Sequence, residues 1–245
     1  VVSNSTFAQN TAGRLGGAIF CDWDSDVAVD NSIFKANTKY ALGEETVGNS
    51  TVKHSLFHAN PDGDFGVYDI ETKQVNSLAG ADLDATNVNA DPLFVQGPLG
   101  GFYLSHADTG QSVTSPAVDA GSRLATDANL AELTTRTDGV EDSGVVDLGY
   151  HFGDHTELPK FALTATVVGG HGTVSPISGS YYAGTAVAIT AAPESGWRVA
   201  QWSGTSDDAS RKNDNIVIIG PDRYVTVQFE QPRTIMVGKS GDFTT

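Results

Sequence analysis

The sequence predicts an all-β protein: a parallel β-helix that runs into a capping region, then a small separate β domain. Three observations predict it. The segments NSTFAQN (4–10), NSIFKAN (31–37) and HSLFHAN (54–60) repeat one pattern. Residues 161–230 alternate apolar and polar side chains between glycine-rich turns, the period of half-buried strands. No heptad and no sustained 3.6-residue pattern occurs in the chain.

The repeat defines the first element. Phe7, Phe34 and Phe57 hold one place in it; Asn10, Asn37 and Asn60 hold another, and Ser5, Ser32 and Ser55 a third. The offsets, 27 and 23 residues, suit one coil with three short strands. Stacked coils place the three Phe in an internal ladder. An Asn at the end of a strand leaves the extended conformation readily and bonds to its counterparts above and below. Gly16-Gly17 and Gly66 are expected at the other corners. A coil cannot bury its face alone and needs neighbours. The first coil is therefore expected to present an unpaired edge, which upstream coils or another segment would cover. The chain opens on VVSNSTF, without Met or signal peptide, and so reads as a mature product or as a piece of something longer.

Beyond residue 90 the pattern decays into DPLFV (91–95), FYLS (102–105), SPAVDAGS (115–122) and VVDLGYHF (145–152). Pro92 and Pro116 end coils because they cannot donate to a ladder. Asp119 reads as a turn acceptor and residues 123–133 as a short helical turn. The block reads as a cap. The expected domains are residues 1–154, a polar linker HTELPK at 155–160, a β domain at 161–230 and a tail at 231–245. In the β domain, Phe161, Leu163, Ala165 and Val167, then Val187 and Ile189, then Ile216 and Ile218, alternate as strands do. The tail TIMVGKSGDFTT (234–245) is not a phosphate-binding loop, since no Gly stands at 233.

Composition narrows the function. Thirty acidic residues against fourteen basic ones give a net charge of −16, and no Lys/Arg cluster occurs, so no nucleic-acid partner is expected. With 39% hydrophobic residues a core can form. No apolar run approaches the roughly 20 residues that span a bilayer, so no membrane insertion is expected. Cys21, the one cysteine, cannot form an intrachain disulfide and reads as a buried thiol in GAIFC.

Two resemblances follow from these motifs. The GGAIFC and NSxFxxN coils, with DPLFV, SPAVDAGS and VVDLGYHF, resemble the C-terminal end of right-handed parallel β-helix proteins of bacterial surfaces, of the choice-of-anchor or polymorphic-outer-membrane-protein kind. That likeness covers residues 1 to about 153. Such proteins usually close the block with Ala-Tyr-Glu, where Tyr150-His151-Phe152 stands here. The segments GGHGTVSP, YYAGTAVAITAAPESGWRVAQWSG and VTVQFE resemble the divergent internalin B-repeat, a β-grasp-like extracellular spacer without a defined ligand. The tail resembles the opening strand of a further β-helix.

Candidate sites are few. Asp22, Asp24 and Asp26 alternate like the first half of a calcium loop. An EF-hand needs Gly at its sixth place and Glu at its twelfth, where Val27 and Ile33 stand, so that loop is excluded. The acidic turn is either a Ca²⁺ site between coils or a solvated corner; no other cofactor is expected. Trp197 and Trp202 are either core of the small domain or a sugar platform. No catalytic constellation stands out. Asp22, Asp24, Lys35, Lys53, His54 and His58 are the candidates if the chain were part of a β-helix polysaccharide lyase or hydrolase. His54 and His58, four apart, are expected on one strand face, a two-His pair lacking a third ligand.

The function this reading supports is a non-catalytic extracellular structural or adhesion module of a large repetitive surface or filament-forming protein. The alternative is a fragment of a polysaccharide lyase or glycoside hydrolase, or a carbohydrate-binding module. Expected partners are other copies or adjacent modules, joined through residues 234–245, and surface glycans.

Overall fold

The computed structural model describes residues 1–23, 25–45 and 49–232. Among them regular structure is almost entirely β; helix is confined to single turns at Gly80–Leu83 and Ala107–Thr109. The chain divides into two compact units, residues 1–160 with 181–187, and residues 161–180 with those from 188 onward.

In the first unit the repeat becomes three sheets of short strands. One contains Val2–Ser3, Ala28–Asp30 and Thr51–Lys53. The second contains Thr6–Ala8, Ile33–Lys35, Leu56–His58 and Val88–Asn89. The third contains Ile19–Cys21, Leu42–Glu45 and Phe65–Asp69, with Gln74–Leu78 added antiparallel at its far side. All other neighbours in these sheets run parallel, each strand pairing with the equivalent strand of the next pass of the chain.

The strands are short because left-handed residues interrupt them. Asn4, Asn31 and His54 precede the second-sheet strands with φ of 46°, 52° and 43°. Gln9, Ala36 and Ala59 follow them with φ of 59°, 56° and 52°. Each such bend costs a non-glycine residue about 1 kcal/mol, least for Asn. The register is set by what the bends allow to stack. Val2, Val29 and Val52 align, as do Phe7, Phe34 and Phe57, and Ile19, Leu42 and Phe65. The Phe rings stack at 5.1 Å between successive centroids, within 5° and 11° of parallel. Phe34 and Phe57 are wholly buried, and each such burial contributes about 2–3 kcal/mol.

A polar ladder runs beside the aromatic one. The Oδ1 of Asn37 accepts from the backbone N–H of Asn10 (3.1 Å) and from its Nδ2 (2.9 Å). The Oδ1 of Asn60 accepts the same two bonds from Asn37, at 2.9 and 3.3 Å. The Ser positions form a second chain, Ser5 N–H to Ser32 Oγ and Ser32 N–H to Ser55 Oγ. It ends on Asn87 Oδ1, which accepts from the N–H of Ser55 at 3.0 Å.

Two sequence expectations change here. Gly66 is not a corner: it lies inside Phe65–Asp69, opposite Gly43. Its missing side chain leaves room for the Tyr40 ring, which a Cβ would meet at 2.7 Å. The block beyond residue 90 does not close the stack as a cap. Its hairpin, Phe94–Gly97 with Gly100–Leu104, and the irregular chain after it lie against the outer side of the second sheet. In Ile33–Lys35, Phe34 faces inward, so Ile33 must face out. Ile33 and Leu56 are buried there by Leu104, Ala117 and Leu148. The attachment is also polar: Asn31 Oδ1 accepts from Ser122 N–H, and Asp30 pairs with Arg123 at 2.6 Å. The segment 123–133 makes turns, one of them closed by the Ala128 N–H donating to the Leu124 carbonyl as in a helical turn. What closes over the last Phe is Gly80–Leu83: a Cβ on Gly80 would overlap the Phe57 ring.

Two further sheets hold most residues of the second unit. One orders Ser178–Tyr182, Lys160–Val168, Arg223–Glu230 and Arg198–Ser203; the other orders Gly172–Ser175, Ala186–Pro193 and Asp214–Ile218. Leu163, Ala165, Val187 and Ile189 face the core as their alternation predicts. Ile216 and Ile218 do not: they are exposed, and Val217 and Ile219 are buried instead. The run IVII is apolar at every place, so its own pattern cannot choose a face. The register decides, and a one-residue slip moves every side chain across the sheet.

Candidate functional site

The acidic turn is engaged by backbone. Asp22 Oδ1 accepts from the N–H of Trp23 at 2.9 Å, and the Asp22 carbonyl accepts from Ser25 N–H. Asp26 Oδ1 accepts from Asn49 N–H at 2.8 Å, tying one pass to the next. Asp24 lies outside the described residues. Among the described residues no three His, Cys, Asp or Glu side chains converge as metal ligands. Next to the turn, burial raises the pKa of Cys21, with the Ser50 hydroxyl opposing that shift.

The four basic candidates for an enzyme each face an acidic residue. Lys35 Nζ lies 2.6 Å from Asp91, which His58 also approaches at 3.5 Å. Lys53 pairs with Asp84 at 3.7 Å. His54 Nδ1 lies 3.3 Å from Asp30. The two His do not share a strand face, because His54 occupies the left-handed bend ahead of Leu56–His58 and the alternation starts after it.

A deeply buried titratable cluster lies in the block on the outer face. Asp142, Asp147 and His151 are all nearly inaccessible. His151 Nε2 stands 2.9 Å from Asp142 Oδ2, and its Nδ1 is 3.1 Å from the Gly149 carbonyl. Both ring nitrogens therefore face oxygen atoms. Asp142 Oδ2 also accepts from the N–H of Asp147. Asp147 accepts from Asp119 N–H at 2.8 Å and from the Thr135 hydroxyl. Burial, more than the neighbouring Asp142, pushes Asp147 up to about 6. A pocket of about 360 Å³ adjoins the cluster, with His106, Asp119 and Arg136 in its wall. Burial, then the Arg136 charge, lowers the His106 pKa. Every oxygen of Asp147 is taken by a donor that ties separate loops together, so this chemistry braces the block. Sequence reasoning missed it; the only signal was Asp147 and His151 set among the apolar residues of GVVDLGYHF, with Asp142 just ahead of that segment.

In the second unit the two tryptophans part. Trp202 is fully buried and its Nε1 donates to the Lys212 carbonyl at 3.0 Å. Trp197 is half-buried, with the His171 ring stacked on it at 3.5 Å and 5°.

A family model described as the divergent InlB B-repeat domain matches residues 163–233. The second unit is thus similar to a repeat module of surface-associated proteins. Neither a curated protein nor a solved structure matches the chain.

Proposed function

We propose that the chain is a non-catalytic structural or adhesion module of a large, repetitive extracellular protein. Residues 1–154 are then the C-terminal part of a right-handed parallel β-helix, braced on one side by its last 60 or so residues. Residues 161–230 are a β-grasp-like spacer of the B-repeat kind. The observation that carries this reading is the continuity of the Phe and Asn ladders across three successive passes. A column of stacked rings and amides stiffens a rod along its axis and adds nothing to catalysis. The B-repeat match supports a surface location, and no helix among the described residues is long and apolar enough to cross a membrane.

The proposal extends to partners. Val2–Ser3, Thr6–Ala8 and Ile19–Cys21 are paired on one side only among the described residues. Such edges accept a further strand. Upstream coils would supply it in a longer chain; residues 234–245 of another copy, which lie outside the described residues, would supply it in an array.

Pulling the protein from its two ends tests the mechanical role. The expected record shows the first unit resisting as one cooperative body, at lower force in Asn37→Ala. Release of sugar products from polygalacturonate, alginate or a neutral glucan by the monodisperse protein would overturn the reading.

A further inference from the structure

We propose that Trp23, Phe20, Arg14 and Asp22 form a binding platform for a neutral glycan on the outer side of the third sheet. This gives the surface module a ligand class and rests on that reading. A pocket of about 370 Å³ is walled by Arg14, Leu15, Phe20, Asp22 and Glu45, near the lower end of the range for small-ligand sites. Trp23 is 56% exposed and Phe20 44%. Trp23 is nonetheless fixed, because its Nε1 donates to Glu45 Oε2 at 2.7 Å. Glu45 Oε1 accepts from Arg14 Nη1 at 2.6 Å, and the guanidinium lies over the Tyr68 ring at 4.1 Å. One carboxylate therefore clamps an aromatic ring and a cation side by side.

An indole left in water but held in one orientation is prepaid order for a ligand. A pyranose matches what the pocket offers. Its apolar C–H face suits an exposed aromatic ring, and its hydroxyls both donate and accept. Arg14, whose side chain is 57% exposed, keeps free N–H donors. Asp22 Oδ2 has no hydrogen-bond partner among the described residues and remains an acceptor. The net charge of −16 repels acidic polysaccharides, which selects a neutral glycan.

The test titrates the full chain with cellohexaose, maltohexaose, mannohexaose and, as the acidic counterpart, an oligogalacturonate. Tryptophan fluorescence and calorimetry are the readouts. Saturable binding of at least one neutral hexasaccharide is expected, roughly tenfold weaker in Trp23→Ala and unchanged in Trp197→Ala. Glu45→Gln, which keeps the shape of the clamp but weakens its hold on Arg14, is expected to bind more weakly too. That variant decides the matter if Trp23→Ala fails to fold by circular dichroism. No saturable binding of any neutral probe, binding indifferent to both variants, or preference for the oligogalacturonate each sinks the proposal. The pulling experiment reads none of these, so platform and mechanical role fail independently.

Discussion

Asn37 accepts two hydrogen bonds from Asn10 through one oxygen, and with its own amide it donates to Asn60 Oδ1 and to the Phe7 carbonyl. It is completely buried. Asn37→Ala strands the Asn10 N–H and the Phe7 carbonyl together, so a loss of about 3 kcal/mol is expected in urea titrations. Asn37→Asp keeps both acceptor roles but sets a carboxylate against Asn60 Oδ1, so it is expected to be at least as damaging at neutral pH.

The aromatic ladder predicts a rank order. Phe34 has a ring on each side, whereas Phe7 has one and is only half-buried. Phe34→Ala is expected to lose about 3–5 kcal/mol and Phe7→Ala clearly less. Equal losses in chemical denaturation would refute the ladder as the source of stability.

Gly80 meets the Phe57 ring with no room for a Cβ. Gly80→Ala is expected to cost about 1–3 kcal/mol through overpacking. Gly153→Ala, where a Cβ meets nothing within 4 Å, serves as the control.

Asp147 gives a pH dependence with a definite sign. Its folded pKa, about 6, lies above the unfolded 3.8. The folded state then holds the proton more tightly, so this group's contribution is present in full below about pH 4 and is lost as pH rises through about 6. The span is on the order of 2–3 kcal/mol. The groups facing it are Asp142 and His151 by charge, and Thr135 and the Asp119 N–H by hydrogen bond. Asp147→Asn is expected to remove this slope from stability measured between those pH values. A variant with the slope of the parent protein would assign the effect elsewhere.

In the second unit, Trp202→Ala is expected to cost about 3–5 kcal/mol. Trp197→Ala is expected to leave the melting temperature nearly unchanged, since one face of that ring meets only the exposed His171.

How much of this was legible follows from the range of each interaction. Phe7, Phe34 and Phe57, with Asn10, Asn37 and Asn60, repeat in the sequence, so their alignment can be read from spacing alone. The alternation at Leu163, Ala165, Val187 and Ile189 is equally local. Gly66 was misplaced because what fills its space is Tyr40, 26 residues earlier in the chain. Ile216 and Ile218 were misplaced because four apolar residues in a row carry no alternation. Of the candidate sites, core was one of the two readings open for Trp202, while the Asp142–His151–Asp147 brace and the Glu45 clamp left no motif.

The sequence by itself determined the all-β class, the spacing of the repeat and which side chains stack, because these depend on periodicity along the strand. Only the tertiary structure decided that residues 91–152 cover Ile33 and Leu56 on the outside, and that Asp147 is buried far enough to raise its pKa. Both depend on which distant surface a segment packs against, and a desolvated carboxyl has no signature until that surface has closed over it.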